Sequence, residues 1–197
     1  MTAPRRMGTE NSKTRQVLLD VAERLMLEEG YASVGIRRVA REAEVAPALV
    51  LYYFRTLDDL FLAMLRRRGE HEMERVVRLL DGPQPLHTLW RIASHPGNAL
   101  TTEFAALANH RKAIRSELAA FADRYREAQL AALTRRLAET GVELPPEVSP
   151  AALLMLTNAL GRIIMMENTM GMTTRHAEAL DFVEQFLQRY EGTTTDA

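Results

Sequence analysis

The sequence predicts an all-α protein, and three observations support this fold class. Leu and Ala, which favour helices, occur 27 times each, whereas the β-branched residues Val and Ile occur 11 and 5 times. Apolar residues recur at helical spacings of three, four and seven positions, and Gly or Pro interrupts these stretches at several of their ends. A chain of 197 residues is long enough for one bundle, or for two small domains, around a buried core.

The composition also excludes several classes of protein. The chain has no cysteine, which rules out a disulfide framework, a zinc ribbon, an iron–sulfur cluster and a cysteine nucleophile. It has no run of 18 apolar residues and no apolar signal core, so we expect a soluble, cytoplasmic protein that does not enter a membrane. The net charge of -1 divides into +2 over residues 1–56 and -3 over residues 57–197. This clustering of bases is a weak sign of a nucleic-acid surface.

Residues 1–56 are predicted to form three helices. Ser12 is expected to cap the first helix and Gly30 to end it. Two short helices follow, from Ile36 to Ala43 and from Pro47 to Tyr53, and the second has proline at its first position. Because only three residues separate them, these two helices are predicted to form a helix-turn-helix.

The rest of the chain is predicted to form a helical bundle. An amphipathic helix from Leu57 to about Leu80 should end at Gly82 and Pro83. A helix from Ala151 to about Asn168 is apolar on nearly all sides, so it must be covered on all sides. The other helices are expected from Leu86 to Ser94, from Asn98 to Ala108, through Ile114 to Thr140, and from Thr174 to Tyr190.

The segment from Gly30 to Leu60 carries the most informative pattern. It contains four groups of residues at fixed spacing: Gly30-Tyr31, Val39 to Ala43, Tyr52 to Phe54, and Asp58 to Leu60. In these groups the segment resembles the N-terminal DNA-binding domain of TetR-family transcriptional regulators. The resemblance is close over about the first sixty residues and architectural over the rest. It implies a DNA-binding domain at 1–56 and an effector-binding and dimerisation domain at 57–197.

Four positions depart from the family pattern. Glu44 stands in the turn where the family usually has Gly, and we expect a backbone strain of about 1 kcal/mol there. Leu57 replaces a Lys that commonly opens the next helix against a phosphate, and Leu51 replaces a frequent Tyr. Val34 and Gly35 replace hydroxyl residues, which leaves Gly35 or Ser33 to cap the helix from Ile36. These departures are expected to weaken phosphate contacts and to leave the fold unchanged.

The resemblance implies that the second helix of the motif enters the major groove of DNA by its N-terminal residues. Ala46, Pro47 and Ala48 carry no hydrogen-bonding side chain, so they can only contact thymine methyl groups or allow a close approach. Selectivity is therefore expected from backbone fit, DNA shape and Tyr52. Arg37 is placed for a phosphate or a base edge, and Tyr53 either donates to a phosphate or packs in the core. Arg5 and Arg6 belong to a basic arm that either follows the DNA or is a solvated tail.

The resemblance further implies an effector pocket that is mostly apolar. Glu103 is the main candidate for a polar residue in this pocket, because it lies in an otherwise apolar helix. The alternative is that its carboxylate faces solvent. The candidate lining residues, each of which is alternatively ordinary core, are Trp90, Phe104, Leu107, Phe121, Tyr125 and Met155, with Glu103, Asn158 and Arg162 as polar anchors.

One helix-turn-helix makes few DNA contacts, so the resemblance implies a homodimer that contacts two half-sites about 34 to 36 Å apart. The expected dimer surface is formed by residues 151–168 and 174–190, with Ala159 and Gly161 allowing close approach. The alternative is an internal core helix in a monomer. We expect a repressor, in which effector binding shifts the helix from Leu57 and so changes the distance between the two DNA-binding motifs of the dimer.

Two other classes of function compete with a regulator. An enzyme is not expected, because the sequence has no paired Glu-x-x-His, His-Glu-x-x-His, P-loop, Gly-x-Gly-x-x-Gly or Gly-x-Ser-x-Gly motif, and neither a cofactor nor a metal is expected. The second alternative is a ligand-binding or interaction dimer that has lost DNA binding. Loss of DNA binding is favoured by Leu57, by Glu44, and by Ala46-Pro47-Ala48, whose side chains form no hydrogen bonds.

Overall fold

The computed structural model describes residues 12–95 and 99–192, and these residues form helices without any β-strand, as the composition predicts. Asn98, the predicted start of one helix, lies outside the described residues. A short 3-10 turn at Tyr31–Ser33 links the first two helices. In chain order the α-helices are α1 Lys13–Glu29, α2 Ile36–Glu42, α3 Pro47–Tyr53, α4 Leu57–Leu80, α5 Pro85–Ala93, α6 Ala99–Ala108, α7 Lys112–Thr140, α8 Pro150–Thr169 and α9 His176–Glu191.

The described residues pack into two compact units. Unit 1 contains the residues up to Glu70 together with Leu100–Phe121, and unit 2 contains His71–Ala99 and the residues from Ala122 onwards. Helices α4 and α7 therefore each contribute residues to both units. The predicted functional boundary between residues 56 and 57 is a separate proposal, because it concerns the roles of the segments and not their packing.

The predicted caps of α1 are present in unit 1. The Ser12 hydroxyl oxygen accepts a hydrogen bond from the backbone N–H of Arg15 at 3.3 Å, which satisfies one of the free N–H groups of the first turn. At the other end Gly30 has a φ of 82°, a conformation that residues with a Cβ rarely adopt. The α2 helix begins after Gly35. Because glycine has no side chain, it cannot accept a capping hydrogen bond from the first turn of α2.

The turn between α2 and α3 is a Schellman motif built around Glu44. The Glu44 N–H donates to the Arg41 carbonyl at 3.1 Å, and the Val45 N–H donates to the Ala40 carbonyl at 2.9 Å. This arrangement requires a left-handed residue after the helix end, and Glu44 has a φ of 54°. The strained backbone expected at this position is therefore present, and it fixes the direction in which α3 leaves the turn.

The core of unit 1 holds these helices together. Val39 of α2 and Val50 of α3 have no exposed surface, and Phe54 is 2% exposed. They belong to one apolar cluster with buried residues of α1, α4, α6 and the start of α7. Helices of seven residues are too short to be stable alone in water, so α2 and α3 depend on this burial.

Ion pairs add a second link between α1 and α4 within unit 1. The Arg67 guanidinium is 18% exposed and lies 2.6 Å from the Asp20 carboxylate and 2.8 Å from that of Glu23. It also donates to the Gln16 amide oxygen at 3.2 Å, and Arg68 shares the Glu23 carboxylate at 3.2 Å. A planar guanidinium with several partners fixes the rotation of α4 against α1.

In unit 2, α5 packs closely against α8. A Cβ placed on Gly161 would lie 2.6 Å from the Ala93 carbonyl oxygen, so the lack of a side chain is what allows the contact. The expectation that Gly161 serves close approach to a partner chain is therefore wrong, because Gly161 is buried against α5 of its own chain. Ala159 is exposed, as that expectation requires.

The α9 helix begins at His176, two residues later than predicted. Arg175 adopts a φ of 66°, which interrupts the helical backbone before that point. At its other end, α9 supplies a cap to α5. The Glu191 carboxylate accepts hydrogen bonds from the backbone N–H groups of Leu86 and His87 at 2.7 and 2.9 Å. The N-terminus of a helix favours a nearby negative charge, so the Glu191 carboxylate fixes the end of α9 against α5.

Among the described residues, no helix combines the length and the apolar character needed to cross a membrane.

Replacing Glu44 with Gly is expected to stabilise the protein by about 0.5 to 1 kcal/mol, because glycine adopts a left-handed conformation without Cβ strain. The free energy of unfolding in urea, followed by circular dichroism, measures this effect. Glu127→Gly is the matched control. It lies on an exposed turn of α7 and is expected to destabilise by about 1 kcal/mol. Destabilisation by both substitutions would contradict a strained turn.

Candidate functional site

The solvent-facing side of α3 consists almost entirely of apolar atoms. Val50 is buried on the inner side, whereas five side chains are exposed on the other side and at the helix start. We call this set the recognition face: Ala46, Pro47, Ala48, Leu51 and Tyr52. Four of the residues predicted to contact DNA are therefore accessible together on one short helix, and Leu51 joins them.

Two tyrosines at the end of α3 are held in fixed positions. The Ser12 hydroxyl donates to the Tyr53 hydroxyl oxygen at 2.8 Å, and the half-buried Tyr53 ring packs against the core of unit 1. Tyr53 is thus a packed aromatic whose hydroxyl proton remains available to an acceptor. The Tyr52 ring meets the Tyr53 ring edge-on, with 5.1 Å between centroids and 79° between planes. The more exposed tyrosine is therefore oriented by the buried one.

The bases of the first part of the chain differ in their partners. Arg38 lies 3.1 Å from the Glu42 carboxylate and 2.8 Å from that of Glu29, and Arg24 also binds Glu42. The hydrogen bond from Arg24 lowers the pKa of Glu42. In contrast, Arg37 is exposed, and within the described residues no carboxylate pairs with it.

Arg55 and Lys13 are likewise exposed and unpaired in the described part of the chain. These two cations and Arg37 remain available for phosphates. The predicted contacts Arg5 and Arg6 lie outside the described residues.

The start of α4 was not recognised from the sequence as a cap. The Thr56 N–H donates to the Asp59 carboxylate at 3.0 Å, and the Asp59 N–H donates to the Thr56 hydroxyl at 3.1 Å. This reciprocal pair is a capping box, and its signal is Thr followed three residues later by an acid. Leu57, at the position where a Lys would meet a phosphate, packs against the core of unit 1 instead.

Glu103, the main polar candidate for the effector pocket, already has a hydrogen-bond partner in unit 1. Its carboxylate accepts a hydrogen bond from the backbone N–H of Tyr31 at 2.8 Å. This N–H opens the 3-10 turn after α1, so Glu103 of α6 caps the connection between α1 and α2. The contact joins residues 72 positions apart, which explains why local sequence signals do not reveal it.

The other predicted lining residues of unit 1 are core side chains. Phe104 and Leu107 of α6 are 2% and 1% exposed and belong to the apolar cluster that holds α2 and α3. The Phe121 ring of α7 fills the space that a side chain at Gly69 would occupy, with a ring carbon 2.7 Å from the Cβ position. Any effector that reaches these residues must therefore rearrange a filled core.

Unit 2 contains a buried polar side chain on α7. Gln129 of α7 is 1% exposed, and its amide oxygen accepts a hydrogen bond from the Asn158 amide at 3.4 Å. Within the described residues, its amide nitrogen is buried and has no hydrogen-bond partner. Asn158 is one of the polar residues predicted from the sequence, whereas Gln129 is not. The signal for Gln129 is its place four residues after Tyr125, on the same side of α7.

Tyr125 and Trp90 lie half-buried at the apolar cluster of unit 2. The Tyr125 hydroxyl donates to the Glu72 carboxylate at 3.3 Å. Burial raises the pKa of the Tyr125 phenol, and the nearby charge of Glu72 raises it further. Tyr125 therefore stays neutral and acts as a hydrogen-bond donor. Arg75 balances the carboxylate with two hydrogen bonds of 2.9 and 2.6 Å.

The last two predicted lining residues face solvent. Met155 is 48% exposed and Arg162 is exposed, and both lie on the outer side of α8. That side carries a stripe with alternating spacings of three and four residues, which we call the α8 stripe: Leu156, Ala159, Ile163, Met166 and Met170. Phe182 of α9 is 67% exposed. Except for Met170, which follows the end of α8, these exposed apolar side chains lie in the two segments predicted to form a dimer.

Part of the chain matches the model of a known protein family. Residues 18–64 match the model of the bacterial regulatory proteins of the tetR family. The matched segment runs from the middle of α1 into α4, so it contains the helix-turn-helix and the recognition face.

Solved structures resemble the chain over nearly its whole length. A protein from Saccharomonospora viridis in complex with choline is 21% identical, with 91% of this chain and 96% of that chain covered and a TM-score of 0.73. A TetR transcription regulator from Haloarcula marismortui is 20% identical, with 90% and 96% covered and a TM-score of 0.69. The multidrug binding protein EbrR complexed with proflavin is 26% identical, with 90% and 99% covered and a TM-score of 0.59.

Truncating Glu103 to Ala is expected to destabilise the protein by about 1 kcal/mol, because the Tyr31 N–H loses a charged acceptor. Glu103→Gln keeps an acceptor oxygen and should retain most of the stability. Urea unfolding measures both, with the exposed Glu127→Ala as the control that should change little. Equal stability of Glu103→Ala and the native chain would show that the carboxylate does not support the 3-10 turn.

Proposed function

We propose that this chain, a member of the TetR family of bacterial regulatory proteins, binds operator DNA as a homodimer and is released from it by a small-molecule effector. The observation that carries this proposal is the recognition face, which is accessible on a short helix fixed by the core of unit 1. Family membership indicates a transcriptional regulator and not an enzyme. In this proposal residues 1–56 contact DNA, and residues 57–197 bind the effector and form the dimer.

DNA binding is supported by the position of the charges around the recognition face. The α3 helix enters the major groove, and the exposed Arg37 binds a phosphate or a base edge near the start of α2. Tyr52 is oriented by Tyr53 and contacts the DNA beside it. The Tyr53 hydroxyl proton is available to a phosphate oxygen. Arg5 and Arg6 extend this basic surface along the backbone or into the minor groove.

Dimerisation is supported by the apolar side chains that α8 and α9 leave uncovered. The α8 stripe repeats every three or four residues, as in helices that pack against a partner helix. Leu156 is 68% exposed and Phe182 is 67% exposed, which is unfavourable for isolated side chains of this size. A second copy of the chain would cover both helices and present two DNA-binding motifs to successive half-sites.

Effector binding is supported by the unpaired amide of Gln129. A buried N–H without an acceptor costs about 1 to 3 kcal/mol, so a ligand that supplies an acceptor is favoured at this position. Asn158 contacts Gln129, and Tyr125 and Trp90 pack against the apolar cluster of unit 2. Two structural neighbours hold small organic molecules, choline and proflavin, and these complexes agree with a small-molecule effector.

Release of the operator is proposed to follow from movement of α4. Only three residues separate this helix from the end of α3, and it contributes residues to both units. An effector that favours a different position of α4 changes the spacing of the two motifs in a dimer. A coupling free energy of about 1 to 3 kcal/mol would lower operator affinity about 5- to 150-fold, which is sufficient for a repressor.

An electrophoretic mobility shift with the DNA that flanks the gene of this protein tests the proposal. We expect salt-sensitive retention of that DNA over unrelated DNA of equal length. Arg37→Ala should weaken binding and lower the salt slope by about two, because it removes one phosphate contact from each half of the dimer. Arg124→Ala, an exposed arginine on α7, is the matched control and should change neither quantity. Equal retention of both DNAs would favour the alternative, a ligand-binding or interaction dimer without operator binding.

Replacing Phe182 with Glu is expected to convert the dimer to a monomer, because a carboxylate would be desolvated in the interface. Native mass spectrometry and sedimentation measure the mass of the assembly. The control is Leu27→Glu, which changes a 48% exposed leucine in α1 and should leave the dimer intact. A monomeric native chain, or a Phe182→Glu dimer, would contradict the proposed interface.

A further inference from the structure

Leu51 is a large apolar side chain that the fold keeps in solvent on the recognition face. It is 46% exposed, although its neighbour Val50 is fully buried one position earlier. Tertiary contacts in unit 1 thus leave about half of the Leu51 side chain uncovered. In the sequence, Leu51 stands out only because it replaces a Tyr that is frequent in the similar family.

The surroundings of Leu51 offer almost no hydrogen bonds to a partner. Pro47 and Ala48 precede it by four and three residues and therefore lie beside it on the same side of α3. Both are exposed and carry no polar side-chain atom. Tyr52 supplies the one polar side chain of the recognition face. A partner that fits here must present an apolar group of small size to Leu51.

The face is also rigid. The Schellman motif at Glu44 sets the direction of α3, and burial of Val50 and Phe54 fixes its rotation. The Tyr53 hydroxyl is tied to Ser12, and Tyr53 orients Tyr52. A rigid apolar surface loses little conformational entropy when it binds, so small differences in the partner translate into differences in affinity.

The major groove of DNA contains one apolar group that fits this surface. Thymine carries a C5 methyl group there, and the other three bases present only hydrogen-bond donors and acceptors with ring C–H edges. We propose that Leu51, supported by Ala48 and Pro47, determines operator specificity by contacting thymine methyl groups. This inference rests on the proposed function, and it names what the recognition face selects.

The charges near the recognition face favour DNA over a protein as the partner. Arg37, Arg55 and Lys13 are exposed and unpaired within the described residues, and they come from α1, α2 and the segment after α3. Cations from three segments around an apolar helix complement a groove bordered by two rows of phosphates. An apolar protein surface would leave these charges without partners.

The test uses the full chain and an operator found by selection from random duplex DNA. Each thymine in the half-site is replaced in turn by deoxyuridine, which removes the methyl group and keeps the hydrogen-bonding pattern. We expect affinity to fall about fourfold for each methyl that contacts the recognition face, and about 15-fold when the symmetric pair in both half-sites is replaced. Fluorescence anisotropy at fixed salt measures the change.

Two leucine variants assign the effect to a side chain. Leu51→Ala should reduce the ratio of thymine to uracil affinity at the sensitive position to below about twofold, since most of the apolar contact is lost. Leu27→Ala is the control, because Leu27 is 48% exposed, nearly the same as Leu51, and lies on α1. It should keep the native ratio. Circular dichroism verifies that both variants remain folded.

Three outcomes would overturn the inference. Sequence-selective binding with equal affinity for thymine and uracil at every position would leave the proposed function standing and refute methyl contact. A native ratio in Leu51→Ala would show that another group contacts the methyl. A chain that selects no DNA at all would refute the proposed function and this inference together, and would make the face a candidate protein contact.

Discussion

The apolar core of unit 1 is the constraint on which the rest of the structure depends. The two helices of the helix-turn-helix are seven residues long, a length at which helices do not persist alone in water. Their stability and direction come from burying Val39, Val50 and Phe54 with residues of α1, α4 and α6. Since α3 is fixed on its inner side, the exposed residues on its outer side form one rigid surface.

The same core ties α4 and α6 to the helix-turn-helix. Phe104 and Leu107 of α6 are among its buried members, and Glu103 on the same helix caps the turn after α1. Arg67 of α4 adds ion pairs to α1. A displacement of α4 or α6 would therefore disturb the packing of α2 and α3 directly. This connection explains how an effector bound elsewhere in the chain would change DNA affinity without contacting α3.

Local signals predicted the helices well, and long-range contacts account for what was missed. Ser12, Gly30 and Pro47 act through neighbouring backbone groups, so their roles are visible in the sequence. The left-handed Glu44 was expected because it stands where the similar family usually has Gly. In contrast, Glu103 binds a backbone group 72 residues away, and Gly161 packs against α5, so no spacing pattern reveals these partners. The start of α9 was misplaced because Arg175 adopts a left-handed backbone that its residue type does not suggest.

The apolar core of unit 1 joins α6 and the helix-turn-helix into one cooperative unit, and native-state hydrogen exchange of Val39→Ala tests this most directly. Val39 is fully buried in α2, so the substitution weakens that core. The account predicts that amides of α2, α3 and α6 lose protection by the same free energy, while amides of α5 in unit 2 lose less. Lost protection in α2 and α3 with α6 unchanged would contradict the account.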